Sequence, residues 1–126
     1  MEKKIITTND APPPIGPYSQ AVQAGNFLFI SGQIALDPVT GNIDAKDVPA
    51  ETVQVMKNLE AVLVAAGYNF NDVVKTNIYL SDMSLFPVVN EVYGKFFTAD
   101  FPARETVAVK GLPRNVNVEI SMIAAR

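Results

Sequence analysis

The alternation of apolar and polar positions changes period several times along the chain, and each change marks an element. "KKIITTN" reads as a short strand, closed by "DAPPPIGP", where four prolines within six residues forbid regular structure. "YSQAVQAGNFLFISGQIALDP" carries two runs of period two joined by Gly25-Asn26, a pair suited to a primed two-residue turn, so a hairpin is predicted. Gly32, late in the second run, points to a bulge or a close backbone approach. After the loop "DPVTGNID" the period lengthens. Thr52, Val55, Met56, Leu59, Val62, Leu63 and Ala66 recur at three- and four-residue spacing, with Asp47 and Pro49 as a helix start and Gly67 as its stop.

"DVVKTNIYLSD" returns to period two, with Val74, Thr76, Ile78 and Leu80 expected on one face and Val73, Lys75, Asn77 and Tyr79 on the other. A second helix is predicted from near Ser84, carrying Phe86, Val89, Tyr93, Phe96 and Phe97 on its buried stripe. Two last strands, Arg104 to Val109 and Val116 to Ala125, flank "KGLPRN". This order implies one α+β domain over residues 1–126: a single mixed sheet with both helices on one face. The other sheet face stays mixed rather than polar, as Asn117, Glu119, Ser121 and Ile123 show in the last strand. Such a face suits another copy of the chain better than bare water, so a homo-oligomer is expected.

Composition narrows the chemistry more than the fold. Apolar residues make up 48% and charged residues 18%, which fits a packed globular domain and rules against disorder. The chain has no His and no Cys, which removes the usual zinc site, the thiolate nucleophile and the imidazole base. No acidic calcium loop is present, so no metal is expected. A net charge of −3 offers no broad basic field for phosphates, and nucleic acid is not an expected partner. No apolar run reaches the roughly 20 residues of a membrane span. The start "MEKKIITTND" lacks the apolar stretch of a secretion signal, so a cytoplasmic location is expected.

Catalysis then rests on carboxylates, Arg, Lys, hydroxyls, Asn and backbone groups. Arg104 follows "FPA" and opens a strand. Such an arginine is ordinarily half of an exposed ion pair; held rigidly, it would grip a carboxylate through two parallel hydrogen bonds. Glu119 sits between Val118 and Ile120, where alternation fits a solvent-facing residue as well as a functional one. If the last two strands pair about "KGLPRN", Thr106 lies opposite Glu119 and Arg104 on the diagonal of the same face. The two could equally meet across a subunit boundary. Burial would raise the Glu119 pKa and the arginine would lower it. Asn90 falls at the edge of the second helix's buried stripe, and Tyr18 follows a Gly-Pro turn. Each also has a plain structural reading, backbone hydrogen bonding for Asn90 and packing for Tyr18.

Taken together, "IGPYSQ", "FISGQIALDPVTG", "VVKTNIYLSDM", "VNEVYGKFF", "PARETVAVKGLPR" and "VEISMIA" resemble, in order and spacing over essentially the whole chain, the reactive intermediate deaminase A (RidA, or YjgF-like) family. The resemblance implies a chorismate-mutase-like α+β fold, assembled as a homotrimer with ligand clefts between subunits. It implies cofactor-free hydrolysis of 2-imino acids such as 2-iminobutanoate and 2-iminopropanoate, or their enamine tautomers, to 2-keto acids and ammonia. Such an activity protects amino-acid metabolism and pyridoxal-phosphate enzymes. Carried over by position, Arg104 binds the substrate carboxylate and Glu119 positions or activates the water. Tyr18, Gly32 and Asn90 then line the pocket, and the Thr106 backbone carbonyl reaches the imine nitrogen. Two positions depart from the family pattern: Glu105, where a small residue is usual, and Ser121, where many members carry a second Glu. Strand alternation turns Glu105 away from Arg104. Two other readings of the same cleft are a non-catalytic module for small carboxylic acids and a translation-inhibiting ribonuclease; the acidic balance argues against the ribonuclease.

Overall fold

In the computed structural model, which describes residues 2–126, the elements run β1 (Lys3–Ile6), β2 (Ala21–Ala24), β3 (Phe27–Gln33), α1 (Val48–Ala65), β4 (Val73–Leu80), α2 (Phe86–Gly94), β5 (Ala103–Ala108) and β6 (Val118–Ala125). The strands form one sheet in the order β1-β2-β3-β6-β4-β5. Every neighbouring pair is antiparallel except β4 and β5, which run parallel with α2 as their crossover. Both helices cover one sheet face, as the hydrophobic pattern requires.

The local signals agree with the elements they predict. Ala24 pairs with Phe27 across Gly25-Asn26, and Gly25 takes a positive φ of 60°, which a side chain would oppose. The Asp47 carboxylate accepts from the Ala50 amide at 2.8 Å and caps α1, while Gly67 leaves the helix at φ 82°. Val55, Met56, Leu59, Val62 and Leu63 of α1 meet Leu28, Ile78, Ile120 and Met122 of the sheet, all essentially without exposure. Cutting any of the leucine, isoleucine or methionine side chains among them to alanine costs about 2–5 kcal/mol, because a packed core closes only partly around a cavity.

Three expectations are corrected. First, the last two strands do not pair as a hairpin. β6 lies between β3 and β4, and β5 forms the sheet edge beside β4. Val118, Ile120, Met122 and Ala124 are buried on the helix side, which suits a central strand; every residue of β5 keeps some exposure. Residues 109–117, with left-handed backbone at Arg114 and Asn115, carry the chain back past β4. Second, β4 carries a bulge: Val73 faces Ala124 while Lys75 faces Ile123. The extra residue turns Val74 outward, 45% exposed, and Val73 inward, 4% exposed, reversing their expected faces. Thr76, Ile78 and Leu80 keep the helix side as predicted. Third, α2 ends at Gly94, so Phe96 and Phe97 lie in the turn beyond it; Phe97 still packs on the Tyr93 ring at 4.9 Å.

The face away from the helices is uncovered. Ile5, Phe29 and Val107 stand on it roughly half exposed, beside a Lys75–Glu105 ion pair of 3.0 Å. Glu105 thus points away from Arg104, as alternation predicts.

Candidate functional site

Two clusters gather the residues singled out in the sequence, one on each side of the sheet. The first surrounds Glu119, on the uncovered face in register with Tyr79. Next to it, the pairing of β3 with β6 slips between Ile30 and Gln33, which makes the bulge expected at Gly32. Gly32 is there for clearance: a Cβ on it would overlap the Glu119 carboxylate. The cavity above, of about 300 Å³, is walled by Tyr18, Ser31, Gly32, Ile34, Pro113 and Glu119 among others.

The proline-rich loop reaches this cavity because Gln20 holds it. The buried Gln20 side chain accepts from the Thr8 amide at 2.7 Å and donates to the carbonyls of Thr8 at 3.0 Å and Pro12 at 2.9 Å. The Ser31 hydroxyl donates to the Ser19 carbonyl at 2.6 Å, which fixes Tyr18 beside the bulge. The Tyr18 hydroxyl accepts from the Ile15 amide at 3.3 Å and is otherwise open. Burial pushes the Glu119 carboxyl above its usual range, and no donor or cation among the described residues offsets it.

β6 is itself aimed by a carboxylate that the sequence did not single out. Glu51, in the first turn of α1 and 5% exposed, accepts from the amides of Asn117 at 2.8 Å and Val118 at 3.0 Å. It also accepts from the Asn117 side chain at 2.9 Å. Its signal was faint: an acid at a helix start, which ordinarily needs no further partner.

The second cluster surrounds Arg104 at the sheet edge. Arg104 is in register with Thr76, and Thr106 with Ile78, so both side chains lie on the helix side. Glu119 lies on the opposite face, with β4 between its strand and that of Arg104. The expectation that Arg104, Thr106 and Glu119 share one face within a chain is therefore wrong. It rested on the hairpin that the parallel β4–β5 pair replaces. The Arg104 guanidinium carbon sits 5.2 Å from the Tyr93 ring centre and 5.6 Å from that of Phe86. Ion pairs among the described residues join Lys75 to Glu105, Glu91 to Lys95 and Asp72 to Arg126; Arg104 is in none of them. Exposed Asn90 of α2, Phe101 and Pro102 complete the rim of a cavity of about 440 Å³. The Thr106 hydroxyl is buried without a partner, and β5 as an edge strand presents backbone groups that no ladder satisfies.

Among the described residues no group of three or more His, Cys, Asp or Glu is arranged to hold a metal, and no helix is long and apolar enough to cross a membrane.

The family model described as Endoribonuclease L-PSP matches residues 8–126. A RutC family protein of Pyrococcus horikoshii is 53% identical over 122 residues, 97% of each chain. The 2-iminobutanoate/2-iminopropanoate deaminase of Mus musculus is 48% identical over 124 residues, covering 98% of this chain and 92% of the mouse protein. The crystal structure of Escherichia coli TdcF with bound serine superposes with a TM-score of 0.93 at 43% identity, over 98% of each chain. With its motifs, its sheet order and these matches in agreement, the chain belongs to the Endoribonuclease L-PSP family, the RidA/YjgF family that its sequence resembles.

Proposed function

We propose that the protein hydrolyses small 2-imino acids and their enamine tautomers to 2-keto acids and ammonia, in clefts assembled between copies of the chain in a homotrimer. One observation carries this reading: Arg104 and Glu119 are each prepared for a ligand, yet lie on opposite faces of one sheet. A guanidinium without an acid partner and a desolvated carboxylate without a donor complement each other between copies. A head-to-tail contact of this kind closes into a ring when its rotation allows. The uncovered face, with Ile5, Phe29 and Val107 half exposed, supplies apolar surface for such packing. The names of the mouse relative and of an Arabidopsis thaliana relative, Reactive Intermediate Deaminase A, support the reaction class.

The chemistry asks little of the protein. Arg104 holds the substrate carboxylate through paired N–H donors and so places C2 of the imine in the cleft. Glu119, from the neighbouring copy, accepts a proton from a water whose oxygen adds to C2. The resulting carbinolamine nitrogen takes that proton. The C–N bond then breaks as the carbinolamine hydroxyl passes its proton, through Glu119, to the leaving nitrogen and the C2–O bond becomes a carbonyl, and ammonia leaves. Tyr18, Gly32 and Asn90 wall the cleft, and the Thr106 carbonyl accepts from the imine nitrogen. An imine hydrolyses in water unaided, so orientation plus one proton relay, worth roughly 10²–10⁴-fold, is sufficient. Adding the protein to a threonine dehydratase reaction should hasten ammonia release, and Arg104→Ala should lower that effect by about 10²-fold or more. Equal action by wild type and Arg104→Ala would contradict the assignment.

A further inference from the structure

The cation that the proposed reaction depends on sits at a sheet edge, with no carboxylate to hold it. A free arginine side chain there has rotamer freedom to lose on each binding event. Yet Arg104 lies between two rings, Tyr93 at 5.2 Å and Phe86 at 5.6 Å. Ring contacts restrain a guanidinium without consuming its N–H donors, whereas an acid partner would restrain it and occupy them.

The Tyr93 ring is itself fixed. It is buried on α2, packed against Phe97 at 4.9 Å, and its hydroxyl donates to the Thr76 hydroxyl at 3.0 Å. Thr76 has no exposure and is the β4 residue in register with Arg104. Backbone pairing, hydroxyl contact and ring contact thus join three residues into one unit. Burial raises the Tyr93 phenol above its ordinary value, against weaker lowering by the Thr76 hydrogen bond and the Arg104 charge. The phenol therefore stays neutral and does not compete with substrate as an anion.

Resting on the reading that Arg104 grips the substrate carboxylate, we infer that Tyr93, anchored through Thr76, is a positioning residue that pre-orients Arg104, with Phe86 as the second wall. Its effect falls on carboxylate binding rather than on the proton transfer, which takes place at Glu119.

The test measures 2-oxobutanoate affinity by calorimetry, together with KM and kcat, for wild type, Tyr93→Leu, Tyr93→Phe and Phe86→Leu. Tyr93→Leu should weaken 2-oxobutanoate and raise KM by about tenfold, as loss of a partly buried cation–π contact predicts, with kcat at saturation within about twofold. Tyr93→Phe keeps the ring and loses only its anchor, so it should recover most of that affinity and weaken binding about two- to threefold. Phe86→Leu should fall between the two. Unchanged affinity in Tyr93→Leu overturns the inference, and so does a fall in kcat at constant KM, which would place Tyr93 in the chemistry. Should Tyr93→Leu fail to fold, wild-type affinity in both Tyr93→Phe and Phe86→Leu overturns it. A wild-type protein that neither binds 2-oxobutanoate nor speeds imine decay would instead remove the underlying reading of Arg104.

Discussion

The Glu119 half and the Arg104 half are prepared for chemistry in different ways. Glu119 stands on a central strand, whose helix-side neighbours are fully buried and whose start is clamped by three hydrogen bonds to Glu51. Its position comes from the sheet itself, and its chemical character from desolvation in a gap that Gly32 leaves open. Arg104 stands on the edge strand, where hydrogen bonds are fewer, and takes its position from aromatic side chains of α2. In the proposed reaction, the sheet therefore fixes the group assigned to proton transfer, while packing steers the group assigned to substrate binding. A proton relay tolerates little displacement, and a long cation needs ring contacts that hold it while leaving its N–H donors free.

Three changes sharpen that contrast. Gly32→Ala puts a methyl where the Glu119 carboxylate lies, so the carboxylate must swing aside into the cavity it lines. It should lower kcat by about 10²-fold while leaving 2-oxobutanoate affinity within about threefold, because Arg104 is untouched. Steady-state kinetics beside a binding titration checks the split. Next in size, Glu51→Gln can keep an oxygen for the backbone N–H groups of Asn117 and Val118, which share one carboxylate oxygen, but sets an NH2 donor against the Asn117 side-chain NH2 that the other oxygen accepts from. A loss of about 1–3 kcal/mol is expected from the denaturant midpoint, centred on β6. The smallest effect concerns pH. Glu119 must be ionised to accept a proton, and burial raises its pKa above the ordinary 4.5. As pH falls through that raised value the ionised fraction shrinks, so kcat/KM should drop by up to about tenfold per pH unit. A pH–rate profile of Glu119→Gln should lack this acid limb, whereas a profile of Tyr93→Phe should keep it.

What the chain discloses about itself follows the same division. α1 was legible because cap, period and stop agree, and because the buried face of a helix depends only on its own residues. The hairpin at Gly25-Asn26 was legible for the same local reason. Strand order was not. Alternation says that β6 has an apolar face, but not that β3 and β4 flank it, and two adjacent strands in sequence invite a hairpin by default. The β4 bulge escaped notice because Val73 and Val74 are both apolar and either one satisfies the pattern; pairing with Ala124 and Ile123 decides between them. The motifs single out Arg104, Glu119, Tyr18, Gly32 and Asn90 for one pocket, and within one chain the fold sets them along two separate cavities. Which residues share a face depended on the strand order, so that part of the site went astray. Gln20 and Glu51 do their work through long-range hydrogen bonds, for which one sequence carries almost no signal.

The separation of the two halves makes the central claim open to a direct measurement. Arg104→Ala and Glu119→Gln each remove one half, and each homotrimer should be nearly inactive. When the two are refolded together, every mixed trimer should contain one cleft that draws Arg104 from one copy and Glu119 from the next. Random mixing should then restore about a quarter of wild-type ammonia release, while a chain carrying both changes, mixed with neither partner, restores nothing. If the mixture stays as inactive as its components while forming mixed trimers, Arg104 and Glu119 do not serve one cleft between copies, and the account fails.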